Sequence, residues 1–356
     1  MEVRLPGLPT SGRAALMRVA VLGATGAVGR EMLRTLETRD FPVDEVVALA
    51  SPRSDGVRLP FRGDQLTVRP VEEPAFEGVD VALFSAGATA SREWAPRAVS
   101  RGAVVVDNSS AWRMDPQVPL VIPEINGDAA SGHRGIVANP NCTAITALMA
   151  VAPLHRAAGL VSLVASSYQS VSGAGQHGVR ELLEQVEKLR GHEEELLAPD
   201  LRILPTGDVF GPTIAYNVIP RGGTFEPDGS TSEETKFVNE ARKILGVPDL
   251  AVAATVVRVP VIAGHSVSMM ASFRRDVPPE EARALLAGFP GVEVVDDPAA
   301  DRFPTPLLAA GRDDVLVGRI RRAPGHEGAL LLFASGDNLR KGAALNAVQI
   351  AELLTR

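Results

Sequence analysis

Three glycines at three-residue intervals stand between a short apolar run and a helix-like segment near the start of the chain. The run RVAVLG, residues 18–23, is rich in strand-forming residues, and the segment after it, residues 24–40, has apolar residues at helical spacing. Glycine permits a tight turn, and a helix N-terminus attracts a pyrophosphate. This strand, glycine turn and helix predict the opening of a doubly wound, dinucleotide-binding domain.

The glycine spacing alone is weak evidence for a cofactor. Gly23, Gly26 and Gly29 read GxxGxxG, whereas the usual dinucleotide fingerprint reads GxGxxG. A glycine-rich turn that binds no ligand is the alternative. If the loop does bind a dinucleotide, the predicted contacts are Gly23, Ala24, Thr25, Gly26, Ala27 and Val28.

The end of the second predicted strand bears on the choice of dinucleotide. NAD sites usually have an acidic residue there for the ribose 2'-hydroxyl, but this chain reads ASPRSDG with Ser51, Arg53 and Ser54. An arginine and two hydroxyls suit a 2'-phosphate, so NADP is predicted. The alternative is that Arg53 is a solvated loop charge.

The pattern of apolar runs changes near residue 140. Before it, short and nearly continuous apolar runs at 43–51, 79–87 and 103–110 are separated by helical or turn-rich sequence, which is typical of a parallel sheet covered on both faces. After it, longer alternating runs at 160–172, 256–273 and 315–335 favour a mixed sheet. The sequence therefore predicts an α/β protein with an N-terminal doubly wound, Rossmann-like NADP-binding domain and an α+β second domain.

The predicted domain limits follow from that change. Residues 17–139 form the dinucleotide-binding domain, which a C-terminal helix at 338–356 completes, and residues 140–337 form the second domain. Residues 1–16 lack the long apolar stretch of a secretory signal and are predicted to be a loose extension.

Charge and cysteine content limit the classes of binding partner and the cellular compartment that are expected for this chain. The chain has 36 basic against 43 acidic residues, a formal charge of −7, so no overall basic field favours nucleic acid or an anionic membrane. A small-molecule partner is expected. A single cysteine cannot form an internal disulfide, which favours the cytoplasm.

That single cysteine, Cys142, lies in ANPNCTA and is predicted to open a helix. A lone cysteine is more often a small buried hydrophobe. The positive end of a helix, however, favours a thiolate and offers N–H groups to an oxyanion. A thiolate nucleophile also needs a partner for proton transfer, and His265 in RVPVIAGHS, close in sequence to Arg258, is the candidate.

These segments together resemble the aspartate-semialdehyde dehydrogenase family. The motifs occur in order from about residue 17 to the end: GATGAVG, FSAG, DNSSAWRM, NPNCTA, YQSVSGAG, AYNVIP, RVPV followed by GHS, and DNLRKGAALNAVQIAE. The resemblance implies that residues 140–337 form the catalytic and dimerisation domain. It also implies a metal-free homodimeric enzyme that uses NADPH to reduce L-aspartyl 4-phosphate to L-aspartate 4-semialdehyde and releases phosphate. The resemblance also implies that this step belongs to the synthesis of lysine, diaminopimelate, threonine and methionine.

The resemblance also implies a role for individual residues. It makes Cys142 the nucleophile, His265 the acid/base and Gln169 the residue that orients the acyl intermediate. It implies that the substrate contacts are Arg258 for the carboxylate, Glu233 for the amino group, Lys236 and Arg113 for the phosphate, and Asn141 for the thiol or the phosphate. Ser172, Gly173 and Asn338 join the cofactor-binding set.

Two other functions remain open from the sequence. N-acetyl-glutamyl-phosphate reductases perform the same chemistry on a longer substrate, but that family typically has glycine before the cysteine and an aromatic residue after it, where this chain has Asn141 and Thr143. A noncatalytic NADP-binding relative is the other alternative. The presence of four residues argues against it: Cys142, Gln169, Arg258 and His265.

Overall fold

This computed structural model describes residues 17–198, 200, 202 and 204–355, so the extension predicted for residues 1–16 lies outside the described part. Contacts divide the chain into two units. Of the described residues, the first unit contains 17–123, 127–139 and 346–355, and the second contains the remainder, from 124–126 and from 140 to 345. That these units have the separate functions expected of them stays a prediction.

In its described part, the chain up to residue 140 contains eight strands and three α-helices. Up to residue 140 they are β1 Met17–Leu22, α1 Ala27–Thr38, β2 Val43–Ala50, β3 Arg58–Phe61, β4 Asp64–Thr67, β5 Arg69–Pro70, β6 Val81–Phe84, α2 Ala88–Ser100, β7 Val104–Asp107, α3 Pro123–Asn126 and β8 Ile136–Ala138. Beyond it they are α4 Cys142–Ala158, β9 Leu160–Gln169, α5 Gly175–Leu189, α6 Ser232–Leu245, β10 Ala251–Arg258, β11 His265–Phe273, α7 Pro279–Ala287, β12 Val292–Val294, α8 Pro306–Ala309, β13 Val315–Arg322, β14 Ala329–Gly336 and α9 Leu345–Leu354.

The first unit contains a parallel sheet with the strand order β5-β2-β1-β6-β7-β8. The order reverses beside β1, because β2 lies on one side of it and β6 to β8 on the other. Ligands of such sheets bind at the carboxyl ends of the strands beside the reversal. The glycine loop follows β1 at that point, and the predicted doubly wound fold is confirmed.

The second unit contains a mixed sheet with the strand order β10-β9-β11-β14-β13-β12. The pairs β9/β10 and β12/β13 are parallel. The pairs β9/β11, β11/β14 and β13/β14 are antiparallel. Helix α4 packs on this sheet and is buried along most of its length, because its sequence is apolar on all sides. The mixed sheet predicted for this part of the chain is confirmed.

The C-terminal helix differs from its predicted bounds. It was expected over 338–356, but a π-helical turn occupies Arg340–Ala344 and the α-helix begins only at Leu345. Short elements were also missed, among them the β3/β4 hairpin and the three-residue strand β8. Among the described residues no helix is both long and apolar enough to cross a bilayer.

Candidate active site

Cys142 is the first residue of α4, as the sequence predicted. Asn141 is the N-cap, and its side-chain oxygen accepts a hydrogen bond from the Thr143 N–H at 2.9 Å. The backbone N–H of Asn141 donates to Glu240 Oε2 at 2.6 Å. The thiol is half-buried at the positive end of a seventeen-residue helix, a position that favours the thiolate and can stabilise an oxyanion.

Three further predicted residues lie at one edge of the second sheet. Gln169 ends β9, Arg258 ends β10, and the two are register partners, while His265 begins the antiparallel strand β11. The amide Nε2 of Gln169 donates to Thr143 Oγ1 at 2.8 Å, which ties this edge to the residue after the cysteine. Residues distant in sequence therefore meet beside the start of α4.

His265 is fully buried at this edge. Its Nδ1 accepts a hydrogen bond from the Ser170 backbone N–H at 3.1 Å and lies 3.0 Å from the Ser170 hydroxyl. Its Nε2 is buried and has no hydrogen-bond partner among the described residues. Burial, together with the nearby charge of Arg258, lowers the pKa of the imidazole from 6.5 to about 3.

Arg258 and Glu233 form an ion pair in which Nη2 lies 2.9 Å from Oε1. The second terminal nitrogen of Arg258, Nη1, is buried and unpartnered among the described residues. A Cβ atom added to Gly173 would lie 2.9 Å from this Nη1 and 3.0 Å from His265 Nε2. Two unpartnered nitrogens, one cationic and one on an imidazole, therefore border Gly173.

We expect Gly173→Ala to lower kcat/KM about tenfold, because the added methyl group displaces the Arg258 guanidinium and the His265 imidazole. Steady-state kinetics measure the change. Gly132→Ala is the matched control, since a Cβ at Gly132 meets nothing within 4 Å. An equal loss in both variants would show that the effect is not local to Gly173.

Helix α6 contributes three charged residues at spacings of three and four. Glu233, Lys236 and Glu240 lie on one face of it, and its first turn is fixed by a capping box between Thr231 and Glu234. Lys236 is partly exposed, whereas Glu240 is fully buried against the Asn141 backbone. The helix that carries two predicted substrate ligands thus also holds the residue before the cysteine.

Asn338 lies in the second unit and is nearly fully buried. Its Oδ1 accepts from the Gly264 N–H at 2.9 Å and is within 3.2 Å of the Ser170 and Ser172 hydroxyls, and its Nδ2 donates to Ser172 Oγ at 3.0 Å. The two residues predicted for the cofactor, Asn338 and Ser172, therefore belong to the hydrogen-bond network around His265.

The remaining cofactor candidates lie in the first unit. A Cβ on Gly23 would lie 2.5 Å from the Ser85 carbonyl oxygen, and one on Gly29 would lie 2.2 Å from the Gly23 carbonyl oxygen, so both positions require glycine. Gly26 is the N-cap of α1 and supplies no side-chain cap, which leaves the first-turn N–H groups of α1 without a side-chain acceptor. These features fit a pyrophosphate at the start of α1.

The residues after β2 lie next to this loop. Pro52–Ser54 form a single helical turn, and Ser54 Oγ lies 3.3 Å from Thr25 Oγ1. Ser51 and Arg53 are exposed. The loop therefore presents an accessible guanidinium and hydroxyl groups at the carboxyl edge of the sheet.

Arg113 also belongs to the first unit. It is buried, and its guanidinium donates to the carbonyl oxygens of Asn139 and Asn108, both at 2.9 Å. Its expected contact with a phosphate stays a prediction.

Sequence reasoning missed two residues of the site. Ser170, within the motif YQSVSGAG, donates a backbone hydrogen bond to His265. Glu240 follows Glu233 and Lys236 on the same face of α6 and accepts from the Asn141 N–H. The three- and four-residue spacing of Glu233, Lys236 and Glu240 is the sequence signal that could have identified Glu240. Among the described residues no cluster of three or more His, Cys, Asp or Glu side chains could hold a metal ion.

Two family models match the chain. Residues 18–133 match "Semialdehyde dehydrogenase, NAD binding domain" and residues 151–341 match "Semialdehyde dehydrogenase, dimerisation domain". An aspartate-semialdehyde dehydrogenase of Corynebacterium melassecola is 50% identical over 349 residues, 95% of this chain and 99% of that protein. The corresponding protein of Aquifex aeolicus is 46% identical over 342 residues, 95% of this chain and 98% of that protein.

Solved structures agree with these relatives. Aspartate semialdehyde dehydrogenase II from Vibrio cholerae superposes with a TM-score of 0.89 at 43% identity, covering 96% of this chain and 99% of that one. A second structure of that protein, complexed with ASA, gives the same TM-score and identity and covers 98% of its chain.

Proposed function

Because the chain belongs to the aspartate-semialdehyde dehydrogenase family, we propose that it reduces L-aspartyl 4-phosphate to L-aspartate 4-semialdehyde with NADPH and releases phosphate. The observation that carries the proposal is the meeting of Cys142, Gln169, Arg258 and His265 beside the start of α4. Near full-length identity to enzymes of that name supports the same reaction.

NADPH is the proposed cofactor. When bound, it supplies the hydride. The N–H groups at the start of α1 would hold its pyrophosphate, and Arg53 with Ser51 and Ser54 would hold a ribose 2'-phosphate, because a guanidinium matches a phosphate in both charge and geometry.

We expect Arg53→Ala to raise the KM for NADP about tenfold and to leave the KM for NAD nearly unchanged, since only NADP carries the 2'-phosphate. Initial rates with each dinucleotide measure the effect. Arg134→Ala is the matched control, because Arg134 is exposed and precedes β8 at the opposite, amino edge of the sheet. An equal change for both dinucleotides would contradict the 2'-phosphate contact.

Cys142 is the proposed nucleophile. Its thiolate attacks the acyl carbon of the substrate, the bond from carbon to the phosphate oxygen breaks, and a thioester remains on sulfur. Arg113 and Lys236 are assigned to the departing phosphate because cations compensate the charge that develops on it. The Gln169 amide, held by Thr143, orients the acyl group.

His265 acts on the thiohemiacetal that follows hydride addition to the thioester. Collapse of this intermediate breaks the bond from carbon to sulfur, releases the aldehyde and restores the thiolate of Cys142. The resemblance assigns proton chemistry at sulfur or at oxygen to His265. Its position beside Arg258 and Gly173 supports a role at the reacting group.

The Arg258–Glu233 ion pair supports an amino-acid substrate. An α-carboxylate can bind the guanidinium and an α-ammonium can bind the carboxylate, so the pair presents charges complementary to both groups. An N-acetylated substrate has no ammonium to match Glu233. The pair therefore favours an aspartyl substrate over N-acetyl-glutamyl phosphate.

A homodimer is proposed through the exposed face of the second sheet. Val164, Met270 and Leu331 form one cross-strand row on it, and Tyr168 packs against Phe333 with ring centroids 6.0 Å apart. Val164 and Tyr168 are each about 40% exposed, which is unusual for large apolar side chains that cluster together. The matched dimerisation-domain model supports a second copy of this chain as the partner.

We expect Val164→Lys to convert the dimer to monomer, because it places a charge at the centre of an apolar interface. Gel filtration with light scattering measures the mass. Leu307→Lys, at an exposed leucine on α8, is the control and should leave the mass unchanged. A monomeric wild-type protein, or a Val164→Lys protein that stays dimeric, would contradict this interface.

The reaction is tested by following NADPH absorbance with L-aspartate semialdehyde and NADP, with and without phosphate, beside N-acetyl-glutamate semialdehyde. Phosphate-dependent oxidation of the first aldehyde only is the expected result. Activity on the second aldehyde alone would make the chain an N-acetyl-glutamyl-phosphate reductase, and no activity on either would favour a noncatalytic protein. We place the reaction in the cytoplasm, where NADPH and a reduced thiol persist.

A further inference from the structure

Both chain neighbours of Cys142 are held by side chains from other elements. The residue before it, Asn141, donates its backbone N–H to Glu240 Oε2 on α6 at 2.6 Å. The residue after it, Thr143, accepts at Oγ1 from the Gln169 amide on β9 at 2.8 Å. The short segment that carries the thiol is therefore fixed from two sides, by α6 and by β9.

The surroundings of Glu240 are unusual for a carboxylate. Its side chain is fully buried where α6 packs against α4. Burial disfavours a carboxylate unless hydrogen bonds or opposite charges compensate it. A backbone N–H that donates to a carboxylate forms a short, charge-assisted hydrogen bond, and the 2.6 Å separation from the Asn141 nitrogen has that character. The fold therefore places a strong buried acceptor at the residue before the thiol.

The contact with Glu240 acts on the N-cap of α4. Asn141 has extended backbone angles, φ −63° and ψ 140°, its side-chain oxygen accepts from the Thr143 N–H, and its carbonyl oxygen accepts from the Ile145 N–H at 2.9 Å. These bonds set the direction of the first-turn N–H groups, which favour a thiolate and can hold an oxyanion. Because Cys142 follows Asn141 through one rigid peptide link, a shift of Asn141 also shifts the thiol.

Helix α6 connects this contact to the other end of the site. Glu233, which pairs with Arg258, precedes Glu240 by seven residues, which is two turns or about 10 Å along the same face. The start of α6 is held separately, since Glu234 Oε1 accepts from the Val256 N–H of β10 at 2.8 Å. Loss of the contact made by Glu240 should therefore leave the ion pair in place and disturb the nucleophile alone.

We infer that Glu240 is a positioning residue, which fixes Cys142 for attack by accepting the hydrogen bond of the Asn141 backbone. This inference rests on the proposed function and adds to it a residue that acts through another. The acceptor at this place is what matters, and the negative charge is not required. Placement matters because a displacement of about 1 Å at a reacting group can lower the rate about 10²-fold.

Alkylation by iodoacetamide reports on the thiol without turnover, because the chain has one cysteine. Glu240→Gln keeps the length and an acceptor oxygen and removes the charge, whereas Glu240→Met keeps the length and leaves only a weak sulfur acceptor. Loss of a nearby negative charge by itself favours the thiolate, so Glu240→Gln should react at least as fast as wild type. We expect Glu240→Met to react about fivefold more slowly than Glu240→Gln at neutral pH, because the thiol leaves the positive end of α4.

Steady-state kinetics with L-aspartate semialdehyde provide a second measurement. We expect Glu240→Met to lower kcat about 10- to 100-fold with the KM for the aldehyde within about twofold of wild type, and Glu240→Gln to keep kcat within about threefold. Glu240→Asp keeps the charge and is one methylene too short, so its kcat should fall below that of Glu240→Gln. This variant tests the inference even where Glu240→Met does not fold.

Glu181 on α5 supplies the matched control. It is also a buried glutamate on a helix, and it accepts from the backbone N–H groups of Val209 at 2.7 Å and Phe210 at 3.1 Å. Glu181→Met should leave the alkylation rate and kcat unchanged, and thermal melting shows that each variant is folded.

Three results would overturn the inference: wild-type kcat in Glu240→Met, equal losses of kcat in Glu240→Gln and Glu240→Met, or an equal loss in Glu181→Met. A greater loss of kcat in Glu240→Gln than in Glu240→Asp would show that the charge is required, and would overturn it as well. Wild-type turnover of the aldehyde tests the proposed function separately. Should the wild type show none, the alkylation rates still decide whether Glu240 positions the thiol.

Discussion

Cys142→Ser is expected to lower turnover of L-aspartate semialdehyde by at least about 10⁴-fold, because a serine hydroxyl stays protonated where a thiol can ionise. The start of α4 stabilises an anion on sulfur, but it cannot ionise an alcohol of far higher pKa near neutral pH. Binding of NADP should not change, since the glycine loop and the loop after β2 contain no part of α4.

Both quantities can be measured on one preparation. NADPH absorbance gives turnover, and titration calorimetry gives NADP affinity. Iodoacetamide provides a second measurement, because the chain has one cysteine and any loss of activity must follow a single adduct detected by mass spectrometry. Near-normal turnover in Cys142→Ser, or full activity in the singly alkylated wild type, would refute the covalent mechanism.

The sequence predicted the doubly wound fold of the first unit and the position of Cys142 at the start of a helix, because both depend on local patterns. The glycine loop between β1 and α1 and the start of α4 at Cys142 are each determined by a few adjacent residues. The β3/β4 hairpin escaped prediction because its four-residue strands are too short to show a period. The π-helical turn before α9 has helical spacing and could not be distinguished from an α-helix.

The partners of the site residues required the tertiary structure. Ser170 and His265 are 95 positions apart, and Asn141 and Glu240 are 99 apart, so neither contact leaves a local signal. Strand pairing between β9 and β11 creates the first, and packing of α6 against α4 creates the second. The resemblance supplied the candidate residues and predicted that Asn338 binds the cofactor. It did not indicate the hydrogen bonds of Asn338 with Gly264, Ser170 and Ser172.

Arg258→Lys is expected to reduce kcat/KM for L-aspartate semialdehyde about 10²- to 10³-fold, although the charge is conserved. A guanidinium can bind Glu233 through Nη2 and a substrate carboxylate through Nη1 at the same time, because its nitrogens lie in one rigid plane. A lysine ammonium is a single point on a flexible stem. The ammonium can pair with Glu233 or with the substrate carboxylate, but not with both. Glu233 is already close by, so we expect the lysine to pair with Glu233.

The kinetic constants should separate this effect from a general loss of structure. Because the proposed contact between the guanidinium and the substrate carboxylate is present before and during reaction, most of the loss should be in KM for the aldehyde, with the KM for NADP unchanged. Arg275→Lys is the matched control, because Arg275 forms an exposed ion pair with Glu281 at 2.6 Å and should tolerate the change. If Arg258→Lys keeps the wild-type KM for the aldehyde, another residue must bind the carboxylate, and the Arg258–Glu233 ion pair no longer supports an amino-acid substrate.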